Sequence, residues 1–223
     1  MEKNSKVGLA IATLVVGLAL GGGVGYAINA AKTDEKVANA SLNTETKAAS
    51  LRTLLNNLES EHVDLAAAAT RAGFDGDPSF TAAAESLGKN TDNLTAAIAS
   101  VYGEEAGTQF KAIWASHIGF FVDYTVAAKS GDMAGMDAAV QNLNGYVEAI
   151  STFLSDANPN LPKEAVAQLV TEHVGLLKEA VDKHGAGDYA GSYDAQSRAR
   201  IQITDNIADT LAGAIVKQNP DKF

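Results

Sequence analysis

Three stretches of the chain follow one pattern, and they read HVDLAAAATRAGFDGD (62–77), HIGFFVDYTVAAKSGD (117–132) and HVGLLKEAVDKHGAGD (173–188). Each stretch begins with a histidine and ends with a Gly-Asp pair whose glycine stands 14 positions further on. The three histidines, His62, His117 and His173, are 55 and 56 residues apart. Self-similarity at a nearly constant period is typical of repeat architectures, so we interpret the chain as three tandem repeats.

Apolar residues flank each histidine at helical spacing. They stand seven and four positions before it and three and four positions after it: Leu55, Leu58, Leu65 and Ala66 in the first repeat, Phe110, Ile113, Phe120 and Phe121 in the second, and Val166, Leu169, Leu176 and Leu177 in the third. These spacings share one face of an α-helix. Each histidine is therefore predicted to lie within a core-facing stripe.

The Gly-Asp pairs predict where these helices end. Glycine adopts the left-handed conformation that terminates a helix, and aspartate accepts hydrogen bonds from the first amides of the next helix. Pro78, directly after the first pair, suits the first position of a helix. Each repeat is thus predicted to be a helix, a short turn and a returning helix.

The predicted fold class is all-α. A six-helix bundle at 47–223 would consist of three tandem αα-hairpin repeats at about 47–102, 104–156 and 162–217, with helices at about 47–72, 78–102, 104–129, 133–156, 162–185 and 189–217. In the returning helices, Thr91-Asp92-Asn93 and Thr204-Asp205-Asn206 begin 29 and 31 positions after their histidines. This offset implies a two-residue insertion in the third repeat.

Short turns make successive helices antiparallel, so the three histidine-bearing helices run in the same direction and carry their histidines at similar heights. Two arrangements remain open at this point. If the helices surround a common centre with pseudo-threefold symmetry, the imidazoles converge. If the hairpins form a linear stack, as in helical solenoids, the imidazoles are held apart.

The N-terminal segment is predicted to meet a membrane. The 25 residues from Val7 to Ala31 carry no charge, which is long enough to cross a bilayer as a helix, and lysines precede them. We expect residues 1–31 to form a transmembrane anchor with the body outside the cytoplasm. The alternative is a signal peptide cleaved near Gly25-Tyr26-Ala27, which would release a secreted protein.

Two further expectations concern the same end of the chain. Gly17, Gly21 and Gly25 have the four-residue spacing that lets membrane helices approach closely, which predicts a homodimer through that helix. Residues 32–46 are polar and lack periodicity, and they are predicted to form a flexible stalk.

Charge and cysteine content exclude several classes of protein. The net charge is −10, which argues against a nucleic-acid partner because phosphates are neutralised by Lys and Arg. The chain has no cysteine, so disulfides, thiolate metal sites, thiol nucleophiles and a lipidated cysteine are excluded.

The three equivalent histidines are the candidate site. Three neutral imidazoles with an open position suit Zn(II) or Cu(II), so His62, His117 and His173 are predicted as metal ligands if they converge. The competing interpretation is structural, because a duplicated repeat also keeps a histidine that hydrogen-bonds within the core. His184 lies near the Gly185 turn and is expected to be an exposed residue outside this set.

Weaker signals point to other chemistry. Aromatic residues on both sides of His117 would suit a haem or another planar ligand, but aromatic residues at helical spacing more often form core. Glu59 and His62 form an E-x-x-H pair as in di-iron bundles, although the second copy is missing. No catalytic motif of the hydrolase, nucleotide-binding or zinc-protease kind is present, so an enzyme is the least supported class.

The body from Leu51 to Phe223 resembles a group of exported bacterial helical proteins that are often labelled "copper amine oxidase". The resemblance rests on four segments: LRTLLNNLESEH (51–62), IASVYGEEAGTQF (98–110), AGDYAGSY (186–193) and LAGAIVKQNPDKF (211–223). It implies export, a helical body and copper as a candidate metal. It does not imply amine oxidation, because Tyr146 follows glycine rather than the asparagine of the quinone motif and no His-x-His pair exists.

The leading hypothesis is a membrane-anchored, outward-facing helical module that binds copper or zinc through its equivalent histidines. The first alternative is a non-catalytic structural or interaction domain at the cell surface, with structural histidines. A haem-binding domain and a sensory domain are further alternatives.

Overall fold

The computed structural model describes residues 46–223. The predicted anchor or signal (1–31), the predicted stalk apart from its last residue and the three glycines of the predicted dimer lie outside the described residues. Within 46–223, none of the helices combines the length and apolarity needed to span a bilayer.

The described residues are helical throughout, with short turns and no strand, which confirms the all-α prediction for this part of the chain. The helices are α1 (Lys47–Asp75), α2 (Phe80–Tyr102), α3 (Glu104–Ser130), α4 (Met133–Ala157), α5 (Lys163–Gly185), α6 (Tyr189–Gln202) and α7 (Asp209–Gln218), and a π-helical segment (Ile203–Ala208) joins the last two. Helices α6 and α7 with the π segment form one continuous rod, so six helical rods are present between 46 and 223.

The Gly-Asp turns end and start helices as predicted at two of the three sites. Gly131 follows α3 and Gly187 precedes Asp188 with φ of 70° and 76°, the left-handed region that only glycine adopts freely. Asp132 and Asp188 then cap α4 and α6 by accepting from backbone amides three residues on, at 3.0 and 2.9 Å.

The first Gly-Asp turn differs from the prediction. Gly76 ends α1 with φ of 72°, but α2 begins at Phe80, so the expectation that Pro78 opens the helix was wrong. The reason is local, because the Asp77 carboxylate accepts from the amide of Ser79 at 2.7 Å and folds the chain into an extra turn before the helix begins.

The last predicted helix is also interrupted. A single α-helix was expected at about 189–217, but residues Ile203–Ala208 are π-helical. A π turn takes one more residue between hydrogen-bonded groups than an α turn, and this one contains the Thr204-Asp205-Asn206 triplet at which the sequence implied an insertion. The π segment thus takes up one extra residue inside the helix.

The three histidine-bearing helices surround a common centre. Helix α1 packs against both α3 and α5, and α3 packs against α5. Helix α1 also contacts α6, the π segment and α7, so the first and last helices of the described region meet. A linear stack would leave these elements apart, and the arrangement is therefore a closed bundle.

The core contains separate clusters of buried apolar side chains. The apolar half is the largest cluster of buried side chains and includes Leu55, Leu94, Ile98, Phe110, Ile150, Leu211 and Ile215. A second cluster, with Val63, Phe121, Leu143, Leu177, Ala199 and Ile203, lies further along the bundle. The three histidines stand between members of these clusters on their own helices, and so occupy a boundary layer inside the protein.

Candidate functional site

The structure brings the three predicted histidines together. The ring centroid of His62 lies 5.3 Å from that of His117 and 6.4 Å from that of His173. Their exposed fractions are 1%, 3% and 6%, so all three are inside the protein. In 46–223 no group of three or more His, Asp or Glu side chains meets the geometry of a metal site as the side chains stand.

Two of the histidines form a hydrogen-bonded pair. The Nε2 atoms of His62 and His117 are 3.3 Å apart, and Nδ1 of His117 contacts the backbone oxygen of Trp114. A carbonyl only accepts, so His117 carries its proton on Nδ1 and its Nε2 is an acceptor. His62 must then donate from Nε2, which leaves its Nδ1 as a buried acceptor without a partner.

The third histidine, His173, makes no hydrogen bond of good geometry, although the side chain of Gln202 lies near enough to its ring to raise its pKa against the effect of burial. Both ring nitrogens of His173 are buried and unpaired. His173 lines a small cavity of about 40 Å³, which His117, Tyr146 and Glu59 also line. Most buried polar atoms in proteins are hydrogen-bonded, so this concentration of unpaired atoms is unusual.

Glu59 is a site residue that the sequence indicated only weakly. Its side chain is 3% exposed and its Oε2 atom has no partner. Burial raises the pKa of this carboxyl to about 8, so it holds a proton at neutral pH. The available signal was its place one helical turn before His62, where a glutamate on a core-facing stripe is rare. We refer to Glu59, His62, His117 and His173 as the histidine layer.

Aromatic rings enclose the histidine layer. Tyr146 stacks on His117 with centroids 4.5 Å apart, and Trp114 lies 4.9 Å from both His62 and His117. Trp114 belongs to the aromatic stripe seen in the sequence, whereas Tyr146 comes from the returning helix α4 and was not assigned to the site. It stands 29 positions after His117, as Thr91 does after His62, and this register was the signal that would have found it.

Burial keeps the histidines neutral. It lowers the pKa of His117 to about 3 and that of His173 to about 4. The pKa of His62 lies well below its ordinary value of 6.5, first because of burial and then because of the two neighbouring histidines. A neutral imidazole is the form that binds a metal ion.

A cleft connects the pair to the surface. It has a volume of about 380 Å³ and lies between α1, the turn at 76–79 and α3. Exposed Asp77 and Val126 stand at its mouth, and buried His62 and His117 line its inner end. The site is therefore buried but accessible from one side.

His184 lies outside the histidine layer, as predicted, but the expectation that it is exposed was wrong. Its side chain is only 9% exposed, because Nε2 lies 2.9 Å from Oδ1 of Asp75 and the ring packs edge-on against Phe74 at 5.6 Å. The last residues of α5 that carry His184 therefore pack against the end of α1.

Comparison with protein-family models, with curated proteins and with solved structures found no match. The resemblance to exported helical proteins remains a prediction from the sequence.

Proposed function

We propose that this protein is a helical module that binds one transition-metal ion, copper or zinc, between His62, His117 and His173. The observation that carries the proposal is the convergence of three neutral imidazoles inside the bundle, two of which, His62 and His173, have nitrogen atoms without a partner. A bound cation would give these nitrogens the partner that the protein does not supply.

The spacing of the pair suits a shared ion. Two nitrogens bound at ~2.0–2.1 Å with a tetrahedral angle between them lie ~3.3–3.4 Å apart. The Nε2 atoms of His62 and His117 are separated by 3.3 Å. The contact from Nδ1 of His117 to the Trp114 carbonyl supports the same role, because such a bond fixes the tautomer and orientation of a metal-binding histidine.

His173 would complete the site after a small side-chain movement. Its ring is about 1 Å further from His62 than that of His117 is, by the difference between 6.4 and 5.3 Å, and no hydrogen bond holds it in place. Glu59 offers a carboxylate beside these ligands, and its ionisation would offset the charge of the ion. This donor set suits both Zn(II) and Cu(II), and the sequence resemblance favours copper as the first metal to test.

The second candidate function is a structural or interaction domain without a metal. One observation favours it: His117 has a hydrogen bond through each ring nitrogen and a stacked tyrosine, which suffices for a structural role. A purely structural role does not explain why both ring nitrogens of His173 are buried without a partner.

Calorimetric titration of the chelator-treated full-length protein separates the two functions. We expect one Cu(II) or Zn(II) per chain and a raised melting temperature, since a ligand that binds only the folded state stabilises it. His62→Ala, His117→Ala or His173→Ala should each remove this effect, and His184→Ala is the matched control. No stoichiometric binding, or binding that survives the loss of His117, would refute the metal site.

We further propose that the body is exported and held at the membrane by residues 1–31. The support is the uncharged run from Val7 to Ala31 with lysines before it. The protein should remain with membranes through an alkaline carbonate wash while added protease reaches the body from outside. A soluble product beginning near Ile28 would instead indicate a cleaved signal peptide.

The three hairpins are proposed to be copies of one unit. In the first, Nδ2 of Asn90 donates to the Leu58 carbonyl at 2.9 Å, and in the third, Nε2 of Gln202 donates to the Leu169 carbonyl at 2.9 Å. Leu58 and Leu169 each stand four residues before their histidine. A side-chain amide of the returning helix thus clamps the same backbone position in both hairpins.

A further inference from the structure

The cleft is large enough for an organic molecule. Its volume of about 380 Å³ is more than twice that of the ~150 Å³ cavity known to hold a benzene molecule. It also falls in the ~300–1,000 Å³ range of small-molecule sites in proteins. A metal ion alone needs far less space, so the cleft requires an explanation of its own.

The walls of the cleft are apolar. Ala69, Ile118, Phe121, Val122 and Leu177 line it. The Thr70 and Thr125 hydroxyls donate to carbonyls of their own helices, at 2.9 and 2.7 Å, and so have no proton left to donate to a molecule in the cleft. Of the described residues that line the cleft, Asp77 alone carries a full charge at neutral pH, and it is exposed at the mouth. An uncharged, mainly apolar molecule matches this lining.

His62, which lines the inner end of the cleft, has one hydrogen-bond acceptor without a partner. His62 lines the cleft, and its Nε2 proton is directed to His117. Its Nδ1 atom is buried, unprotonated in this arrangement and without a partner. A molecule in the cleft can therefore hydrogen-bond to this atom through a hydroxyl group, which donates a proton. An ether oxygen cannot do so, because it only accepts.

We propose that the cleft binds a neutral two-ring aromatic alcohol, a molecule of the phenol class, whose hydroxyl donates to Nδ1 of His62. The rings lie among the apolar side chains of α1 and α3, beside Phe121. This binding goes beyond metal coordination and does not depend on it, because the acceptor is present in the metal-free protein.

The test uses 2-naphthol and its methyl ether, 2-methoxynaphthalene, with the chelator-treated full-length chain. The ether keeps the rings and lacks the donor. Saturable binding of one 2-naphthol per chain is expected, with the ether about fivefold to tenfold weaker, as the loss of one hydrogen bond implies.

Variants locate the binding in the cleft. Ala69→Leu adds bulk to the apolar wall and should abolish saturable binding of 2-naphthol. Ala68→Leu makes the same change at the next position of α1, which is exposed and does not line the cleft, and should leave binding unchanged. Val122→Phe fills the cleft from α3 and serves if Ala69→Leu does not fold. Both filling variants should still bind metal.

Binding that is not saturable, that survives both filling variants, or that is equal for 2-naphthol and its ether would overturn the proposal. If the metal binds normally and 2-naphthol does not, the cleft is only an access path to the ion. If 2-naphthol binds and no metal does, the metal site alone is refuted.

Discussion

The apolar half and the histidine layer are equally buried but differ in how their atoms are satisfied. In the apolar half, side chains such as Leu55 and Ile215 are 1% exposed and pack within one apolar cluster. In the histidine layer, polar side chains at 1–6% exposure include atoms of Glu59, His62 and His173 that have no partner. A buried polar atom without a hydrogen bond costs ~1–3 kcal/mol. The apolar half therefore stabilises the fold, whereas the histidine layer carries a cost in stability that the proposed metal site would account for.

The largest effect is expected in the apolar half. Ile215→Ala should lower the free energy of unfolding by ~2–5 kcal/mol, because it leaves a cavity in a filled core. Urea unfolding of the full-length protein measures this loss. The stabilisation by added metal should be the same as in the unmodified protein, and a diminished metal effect would show that the two regions are not separate.

A dependence of stability on pH should come from the histidine layer. In metal-free protein, the pKa is about 3 for folded His117 and about 4 for folded His173, and that of His62 is also well below the ordinary 6.5, so the unfolded chain binds protons first as the pH falls. The neutral histidines make their full contribution to the stability of the fold above pH 6.5. This contribution is lost as the pH falls through their pKa values in the folded protein. Glu59 acts in the opposite sense. Its pKa of about 8 lies above the ordinary 4.5, so its stabilisation is complete below pH 4.5 and is lost as pH rises through 8.

The two trends place the maximum stability of the metal-free protein near pH 6.5. Toward acid, the loss should be on the order of 2 kcal/mol per pH unit, and toward alkali about 1 kcal/mol per pH unit up to pH 8. Unfolding free energies between pH 4.5 and 8.5 measure both slopes. Glu59→Gln should flatten the alkaline side and leave the acid side in place, whereas an unchanged alkaline slope would contradict the assignment to Glu59.

The smallest effect is expected at His173, where a substitution should not lower the stability of the metal-free protein. His173→Leu should leave metal-free stability unchanged or raise it by about 1 kcal/mol, because it removes two unpaired buried nitrogens. His117→Leu is the comparison and should destabilise by ~1–3 kcal/mol, since it strands the Nε2 proton of His62. Equal losses in both variants would show that His173 has a structural role like that of His117.

Much of the helical layout was predictable because it depends on local chemistry. The apolar stripes gave the helices, and Gly131 and Gly187 marked turns because left-handed backbone favours glycine. The expectation that α2 begins at Pro78 was wrong because the Asp77 carboxylate stabilises a competing turn at this point. The π segment needed tertiary information, since nothing local to Thr204 states whether extra residues enter a loop or a helix.

The site was predictable in its residues but not in its geometry. The period placed the histidines on equivalent helix positions, yet convergence required α1, α3 and α5 to close around a centre, which depends on packing between distant segments. Glu59 and Tyr146 were missed as site residues for the same reason. Tyr146 shares the register of Thr91, and Glu59 stands one helical turn before His62, but only the fold shows that each borders the histidines.

X-ray absorption spectroscopy of the metal-loaded full-length protein tests the shared site most directly, because it reports the ligands of the ion itself. We expect nitrogen ligands at ~2.0–2.1 Å with the outer scattering of three imidazoles, and no such signal in His173→Ala, which should lose the ion. His184→Ala should give the unmodified spectrum. A shell without imidazole scattering, or an imidazole count that does not change when His173 is removed, would contradict a metal site shared by the three helices.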